Sequence, residues 1–187
     1  MKILVTGNAG FIASHITDKY RALGHTVIDV DNRHAKPVDI NDASTVMALF
    51  KKEKPDMVNH HAAIAEVVKS LRDPLPTFQT NVLGTVNVLM AAGACGTGKK
   101  FIFSSTGGAI YGEPKKIPAN ESTPATPLSP YGLSKLLGEE AIKFYAAMFG
   151  FSYLIFRYPN VYGPRQNPKG EAGVVAIFTE LMKNGEQ

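Results

Sequence analysis

Ile3-Leu4-Val5-Thr6-Gly7-Asn8-Ala9-Gly10-Phe11-Ile12-Ala13 reads as a buried strand, a tight glycine turn and the opening of a helix. Beyond it Ile12, Ile16, Tyr20 and Leu23 recur at spacings of four, four and three, which makes an apolar helix face, and Gly24 supplies the stop. Glycines alone make only a turn. Between a strand and a helix they gain a second meaning: Gly7 permits the sharp turn, and Gly10 lets a pyrophosphate approach the free N–H groups of the helix N-terminus. Ala13 stands at the helix–strand packing position, where Ala replaces Gly. Val27 to Val30 is the second strand, and Asp31 ends it about 24 residues after Gly7, where a carboxylate accepts from adenosine ribose hydroxyls. Such a carboxylate repels a 2′-phosphate and favours NAD over NADP; Arg33, two residues on, works against that preference. Asp29, in mid-strand, needs a partner.

The pattern continues outward. Asn41 or Asp42 caps a helix to about Lys52, with Val46, Leu49 and Phe50 as its apolar face. Met57-Val58, Phe101 to Phe103 and Tyr153 to Phe156 are further strands, separated by helices near 77–94 and 131–149. Ser129 caps the latter, Pro130 suits its first position and Gly150 ends it. Strand–helix alternation predicts an α/β fold, a doubly wound parallel (Rossmann) sheet covered on both faces. Pro114 to Pro130, with five prolines, is expected as a surface loop, and Pro164 to Gly173 as a domain boundary.

Composition excludes several classes. The 187 residues are 44% apolar and 19% charged with no low-complexity tract, so general disorder is excluded. A single cysteine, Cys95, excludes an internal disulfide and reads as a small apolar residue at a helix end. The first apolar run is too short for a signal peptide or membrane span, so a cytoplasmic protein is expected. The formal charge is +4, but Lys and Arg are scattered, and no nucleic-acid site follows. His60-His61 is no metal pair, because neighbours on a strand face opposite ways and no third ligand is evident. Met47, Met57, Met90, Met148 and Met182 read as apolar positions.

A second chemical site is Tyr131-Gly132-Leu133-Ser134-Lys135. At i and i+4 on a helix Tyr131 and Lys135 share a face, about 6 Å apart along the axis. A tyrosine is a poor base at neutral pH, and a nearby ammonium is expected to lower its pKa. Ser104-Ser105-Thr106 closes a buried strand at the sheet edge where doubly wound folds bind ligands, so a hydroxyl there can bond a reacting substrate oxygen.

Together these segments resemble the extended short-chain dehydrogenase/reductase superfamily, and within it the NAD-dependent nucleotide-sugar epimerases of the UDP-glucose 4-epimerase type. The matching segments are Thr6 to Ala13, Asp31-Asn32, Asp39-Ile40, His60 to Ala63, Asn81 to Thr85, Ser104 to Gly112, Ser129 to Lys135, Arg157 to Gln166 and Gly170 to Val175, in the family's order. The resemblance implies NAD as cofactor, lined by Gly7, Gly10, Phe11, Ile12, Asp31 and Asn32. Asp39 and Ile40 would flank the adenine, and Ala62, Ala63 and Ile64 would run along the cofactor. Asn81 would sit near the nicotinamide half, with Ser104, Tyr158 and Lys135 also on the cofactor. Tyr131 would be the base, Lys135 and Thr106 its catalytic partners, and Asn160 a sugar-nucleotide contact beside Thr106 and Tyr131.

The implied reaction is transient oxidation at the sugar 4-position, with hydride returned to the other face of the ketone. A UDP-sugar substrate, a place in galactose metabolism and a homodimer through the helices near 77–94 and 131–149 are implied with it. Asn8 replaces a usual glycine, and Pro159 stands where Phe or Ala is common. The short connection from Asp31 to Asp39 resembles instead the reductases that make dTDP-rhamnose. Gly107-Gly108 occupies the place of the Asp-Glu pair of dehydratases, which argues against that activity. A dinucleotide-binding fragment without full activity is the third alternative. Family members are roughly twice a single domain's length. Residues 1–166 are thus expected to form the NAD-binding domain, and 167–187 the start of an incomplete substrate domain.

Overall fold

The computed structural model describes residues 1–171 and 173–185. Ala172, within the last matching segment, and Glu186 and Gln187, at the end of the expected second domain, lie outside the described residues. Five strands form one sheet: β1 (Lys2–Thr6), β2 (Thr26–Val30), β3 (Met57–His60), β4 (Lys100–Thr106) and β5 (Ser152–Tyr158). Their order is β2-β1-β3-β4-β5 and every pair is parallel. The doubly wound arrangement expected from the alternation is therefore present.

Period-2 alternation sends the strand side chains to two faces. Leu4, Val58, Phe101 and Phe103 join the larger core with Val46 and Phe50 of α2 (Ala43–Glu53), Val88 and Leu89 of α5 (Thr85–Ala94), and Ile142 of α6 (Pro130–Phe149). Ile3, Val5 and Met57 meet Ala13 of α1 (Phe11–Ala22) on the other face. That second face is thinly covered near β5, where Leu154 and Phe156 are exposed. The α1 face differs in part from its sequence reading: Tyr20 packs half-buried against this core, but Ala13 and Thr17 are the buried residues of the helix and Leu23 is 58% exposed. Small residues let α1 lie close to the sheet, which a row of larger side chains would prevent.

The caps follow the sequence. Asp42 rather than Asn41 caps α2, accepting from the Ser44 and Thr45 N–H groups, and Ser129 accepts from Gly132 N–H at the start of α6. The helix expected near 77–94 is three successive segments: α4 (Pro74–Phe78), a π-helical stretch Gln79–Gly84, and α5. A short helix that periodicity did not announce, α3 (Val67–Arg72), precedes them. The Pro-rich run before α6 forms neither helix nor strand. A last helix, α7 (Val174–Lys183), has no buried residue. Met57 is buried, but Met90, Met148 and Met182 are exposed, so three of the five methionines read as apolar positions lie on the surface. Cys95 caps α5 half-buried, its Sγ 3.8 Å from Met47 Sδ. Among the described residues no helix is long and apolar enough to cross a membrane.

Candidate active site

The strands end on one cavity of about 650 Å³ at the carboxyl edge of the sheet, where doubly wound folds bind ligands. At its first end Gly7 adopts φ +71°, and a Cβ there would lie 2.7 Å from the Ala62 backbone nitrogen, so no other residue fits the turn. Gly10 is the N-cap of α1. Asn8, in place of a glycine, ties the turn to β2: its Nδ2 donates to Asp29 at 2.6 Å and its Oδ1 accepts from His34 Nε2 at 2.8 Å. Arg21 also donates to Asp29, so the mid-strand carboxylate has its partners. Asp31 is buried and fully engaged. Its Oδ1 accepts from Arg33 N and Nε at 2.9 Å, and its Oδ2 from Arg33 Nη2 at 3.0 Å and Ala9 N at 3.1 Å. Burial pushes the Asp31 carboxyl up, but the hydrogen bonds and charge of Arg33 outweigh it and hold the group below the ordinary carboxylate value.

Beneath the cavity a chain of hydrogen bonds crosses the sheet. Thr85 donates to the Asn81 carbonyl at 2.6 Å, so it accepts from His60 Nε2 at 2.9 Å. His60 Nδ1 then accepts from Thr6 Oγ1 at 2.7 Å, and that oxygen accepts from the N–H groups of His61 and Ala62. This sequence of donors defines a neutral His60 protonated at Nε2. Burial agrees, pushing His60 down to about 3. The two histidines do face opposite ways. His61 lines the cavity and stacks on Tyr158 with centroids 6.2 Å apart, its buried Nε2 lacking a protein partner. Among the described residues no group of three or more His, Cys, Asp or Glu is placed to hold a metal.

At the other end α6 brings Tyr131 and Lys135 to the tips of β4 and β5. Lys135 is buried, with Nζ donating to the Ser104 carbonyl at 2.8 Å and lying 5.0 Å above the Phe103 ring centre. Burial lowers its pKa to about 8. Tyr131 is hydrogen-bonded to Thr106, but burial dominates and pushes the phenol up, opposite to the lowering expected of a base. Behind this pair Glu139 of α6 accepts from Ser105 at 2.5 Å and from Arg157 Nε and Nη2 at 2.9 and 2.6 Å. Arg157 reaches on to the Tyr111 hydroxyl at 3.0 Å.

Of the residues expected at the site, Gly7, Gly10, Phe11, Ile12, Asp31, Asn32, Asp39, Ile40, Ala62, Ala63, Ile64, Ser104, Thr106, Tyr131, Lys135, Tyr158 and Asn160 all line the one cavity. Asn81 does not. It is buried in the π-helical stretch, its Oδ1 accepting from Ile64 N at 2.8 Å and its Nδ2 donating to Ile64 O and Ser134 Oγ, both at 2.9 Å. It therefore positions the cavity wall and α6 without facing the cavity, a use that fits the frequency of π-bulges at functional sites. His61, Thr80, Val67 and Gln166 line the cavity although no site motif assigns them to it. His61 and Gln166 carry a signal, lying inside the matching segments His60 to Ala63 and Arg157 to Gln166.

A parallel sheet whose carboxyl-edge cavity has a glycine turn at one end, and a helical Tyr-x-x-x-Lys pair with a strand-end Thr at the other, places the chain among the doubly wound, Rossmann-type proteins. Residues 3–187 match the NAD dependent epimerase/dehydratase family, and the chain belongs to it. Among its relatives, the putative UDP-glucose 4-epimerase of Methanocaldococcus jannaschii is 45% identical over 96% of this chain and 62% of its own length. The UDP-glucose 4-epimerase of Thermotoga maritima, solved with UDP-glucose, superposes with a TM-score of 0.94 at 46% identity, over 100% of this chain and 64% of that one. The UDP-glucose 4-epimerase of Thermus thermophilus, solved with NAD, gives a TM-score of 0.92 at 44% identity over the same shares. The chain thus spans less than two thirds of the length of these relatives.

Proposed function

We propose that this chain carries the NAD-binding and catalytic part of a nucleotide-sugar 4-epimerase acting on UDP-sugars of the glucose/galactose type. The observation that carries the reading is the convergence of Thr106, Tyr131 and Lys135 on the same cavity as the Gly7–Gly10 turn. The residues present fit NAD. Gly7 leaves the close approach that a Cβ would fill, Gly10 presents the N-terminus of α1, and His61 Nε2 offers a buried polar atom without a protein partner. Phe11, Ile12, Asp31, Asn32, Asp39 and Ile40 would hold the adenosine half, Ala62, Ala63 and Ile64 the middle, and Ser104, Tyr158 and Lys135 the nicotinamide half. NAD, when bound, supplies the hydride acceptor for the sugar 4-position and returns the hydride.

The chain's own residues handle the proton. Tyr131 as phenolate takes it from the 4-hydroxyl and restores it after the ketone has turned, while Thr106 bonds the same oxygens. Burial opposes a phenolate, and the hydrogen bond from Thr106 opposes burial by favouring it. Asn160 would contact the sugar nucleotide. In this reading residues 1–166 are the cofactor and catalytic domain and 167–187 belong to the substrate domain. The exposed Val174, Val175, Phe178 and Met182 of α7 suit such an assignment. A homodimer through α5 and α6 accounts for the apolar stripe of Leu133, Leu137, Phe144 and Met148, exposed beside Met90.

Mass spectrometry of the protein as purified is expected to release NAD, and the intact enzyme to convert UDP-galactose to UDP-glucose without added cofactor, this chain binding NAD more readily than it turns over sugar. Stoichiometric consumption of NADH or NADPH would make the chain a reductase instead. NAD binding without UDP binding, measured by calorimetry, would make it a binding module.

A further inference from the structure

α3 is a helix that its own residues do not hold. It has six residues, far fewer than an isolated helix needs in water, and Ser70 is its one buried residue. Glu66, at its N-cap, makes no side-chain cap and pairs instead with Lys69. The missing cap comes from the far end of the chain. Glu171 Oε2 accepts from the Val68 N–H at 2.7 Å and its Oε1 from the Lys69 N–H at 3.2 Å, across 103 and 102 positions. A carboxylate on first-turn N–H groups is the charge that a helix start favours.

Two further sets of contacts give this clasp its reach. The chain leading to Glu171 lines the cavity with Asn160, Val161 and Gln166. It is tied to α1 where His15 Nε2 donates to the Pro164 carbonyl and Arg165 Nη1 to Asp18, both at 2.8 Å. On the other side, α3 sets Val67 into the cavity wall. Its Ser70 Oγ donates to the Val67 carbonyl at 2.6 Å and accepts from the Tyr131 N–H at 3.2 Å. That N–H lies in the first turn of α6, where a helix offers no acceptor of its own. Ser129 serves Gly132, so the Tyr131 N–H is served by α3.

We infer that Glu171 is a positioning residue: it holds α3, and through Ser70 it sets where the backbone of Tyr131 lies. The segment that lines the cavity ahead of Glu171 and the helix that carries Tyr131 then shift together rather than independently. Neither Glu171 nor Ser70 lines the cavity, so both act through Tyr131 and not on a ligand. This role rests on the reading of Tyr131 as the base.

Amide hydrogen exchange of the full chain, read residue by residue by NMR, tests it without any ligand. Glu171→Ala removes a charge-assisted clasp and is expected to speed exchange at Val68, Lys69 and Tyr131 by about tenfold or more, leaving Leu4 and Val58 in the sheet unchanged. Glu171→Gln keeps an acceptor oxygen and should restore most of the protection. Ser70→Ala should speed Tyr131 and spare Val68 and Lys69. Glu171→Ala added to it should speed Tyr131 no further. The ring signal of Tyr131 should shift in Glu171→Ala and return in Glu171→Gln. Positioning by Glu171 is overturned if Val68 and Lys69 speed up while Tyr131 keeps its rate and ring signal, or if none of the three changes. It is also overturned if Leu4 speeds up with them, or if the two substitutions add at Tyr131. Near-normal turnover of Tyr131→Phe overturns the reading of the base instead, and leaves the coupling measured by exchange where it stands.

Discussion

At the β2 end of the cavity Asp31 and Arg33 neutralise each other through a bidentate fork, whereas at the β4–β5 end Lys135 is buried with a carbonyl and an aromatic face. Among the described residues no carboxylate pairs with it. One member of the first pair is mostly in water, so its partner can be exchanged at little cost. The second charge has no water to fall back on, and it responds strongly to any negative charge that arrives beside it. In the proposed function the contrast would separate recognition from chemistry along one cavity.

The hardest test of that separation is Tyr131→Phe. Turnover should fall by roughly 10³-fold, within the range for loss of a general base, while calorimetric NAD affinity stays close to that of the parent. Near-normal turnover would remove the tyrosine from the chemistry. Next in size is the support beneath the catalytic end. Glu139→Ala strands Arg157 without its buried partner and should cost about 3–5 kcal/mol in urea unfolding. A loss below about 1 kcal/mol would mean that water replaces the carboxylate.

The smallest effect concerns the unpaired charge itself. Lys135 titrates at about 8 in the fold, against an ordinary 10.5. Between those values the unfolded chain binds more protons, so this lysine makes stability rise with pH, and its burial cost is fully present below about pH 8. Lys135→Met abolishes that slope. The stability difference, parent minus variant, should therefore increase by roughly 3 kcal/mol from about pH 7.5 to about pH 10.5. Parallel curves would show that Lys135 is better solvated than its surroundings imply.

Much of this is legible in the chain. The Gly7–Gly10 turn, Asp31 and the Tyr131/Lys135 spacing are local patterns, and each falls in the cavity because a strand–turn–helix unit carries its geometry with it. Ser129 and Gly150 mark the ends of α6 for the same reason. What stays hidden is pairwise and distant. Asn81 meets Ser134 across 53 positions, and His60 joins Thr6 across 54, with no periodicity to announce either. The Tyr131 shift runs against its sequence expectation because burial outweighs the Thr106 hydrogen bond, and burial is a property of the packed fold.

Asn81 has one more consequence. Its single amide group holds the Ile64 backbone on one side and Ser134, between Tyr131 and Lys135, on the other. The cavity wall at Ile64 and the helix bearing Tyr131 and Lys135 thus cannot loosen separately without breaking that clasp. They form one cooperative opening unit. The amide hydrogen of Ile64 should exchange with solvent deuterium at the rate set by α6, far more slowly than its position outside any helix or strand would allow.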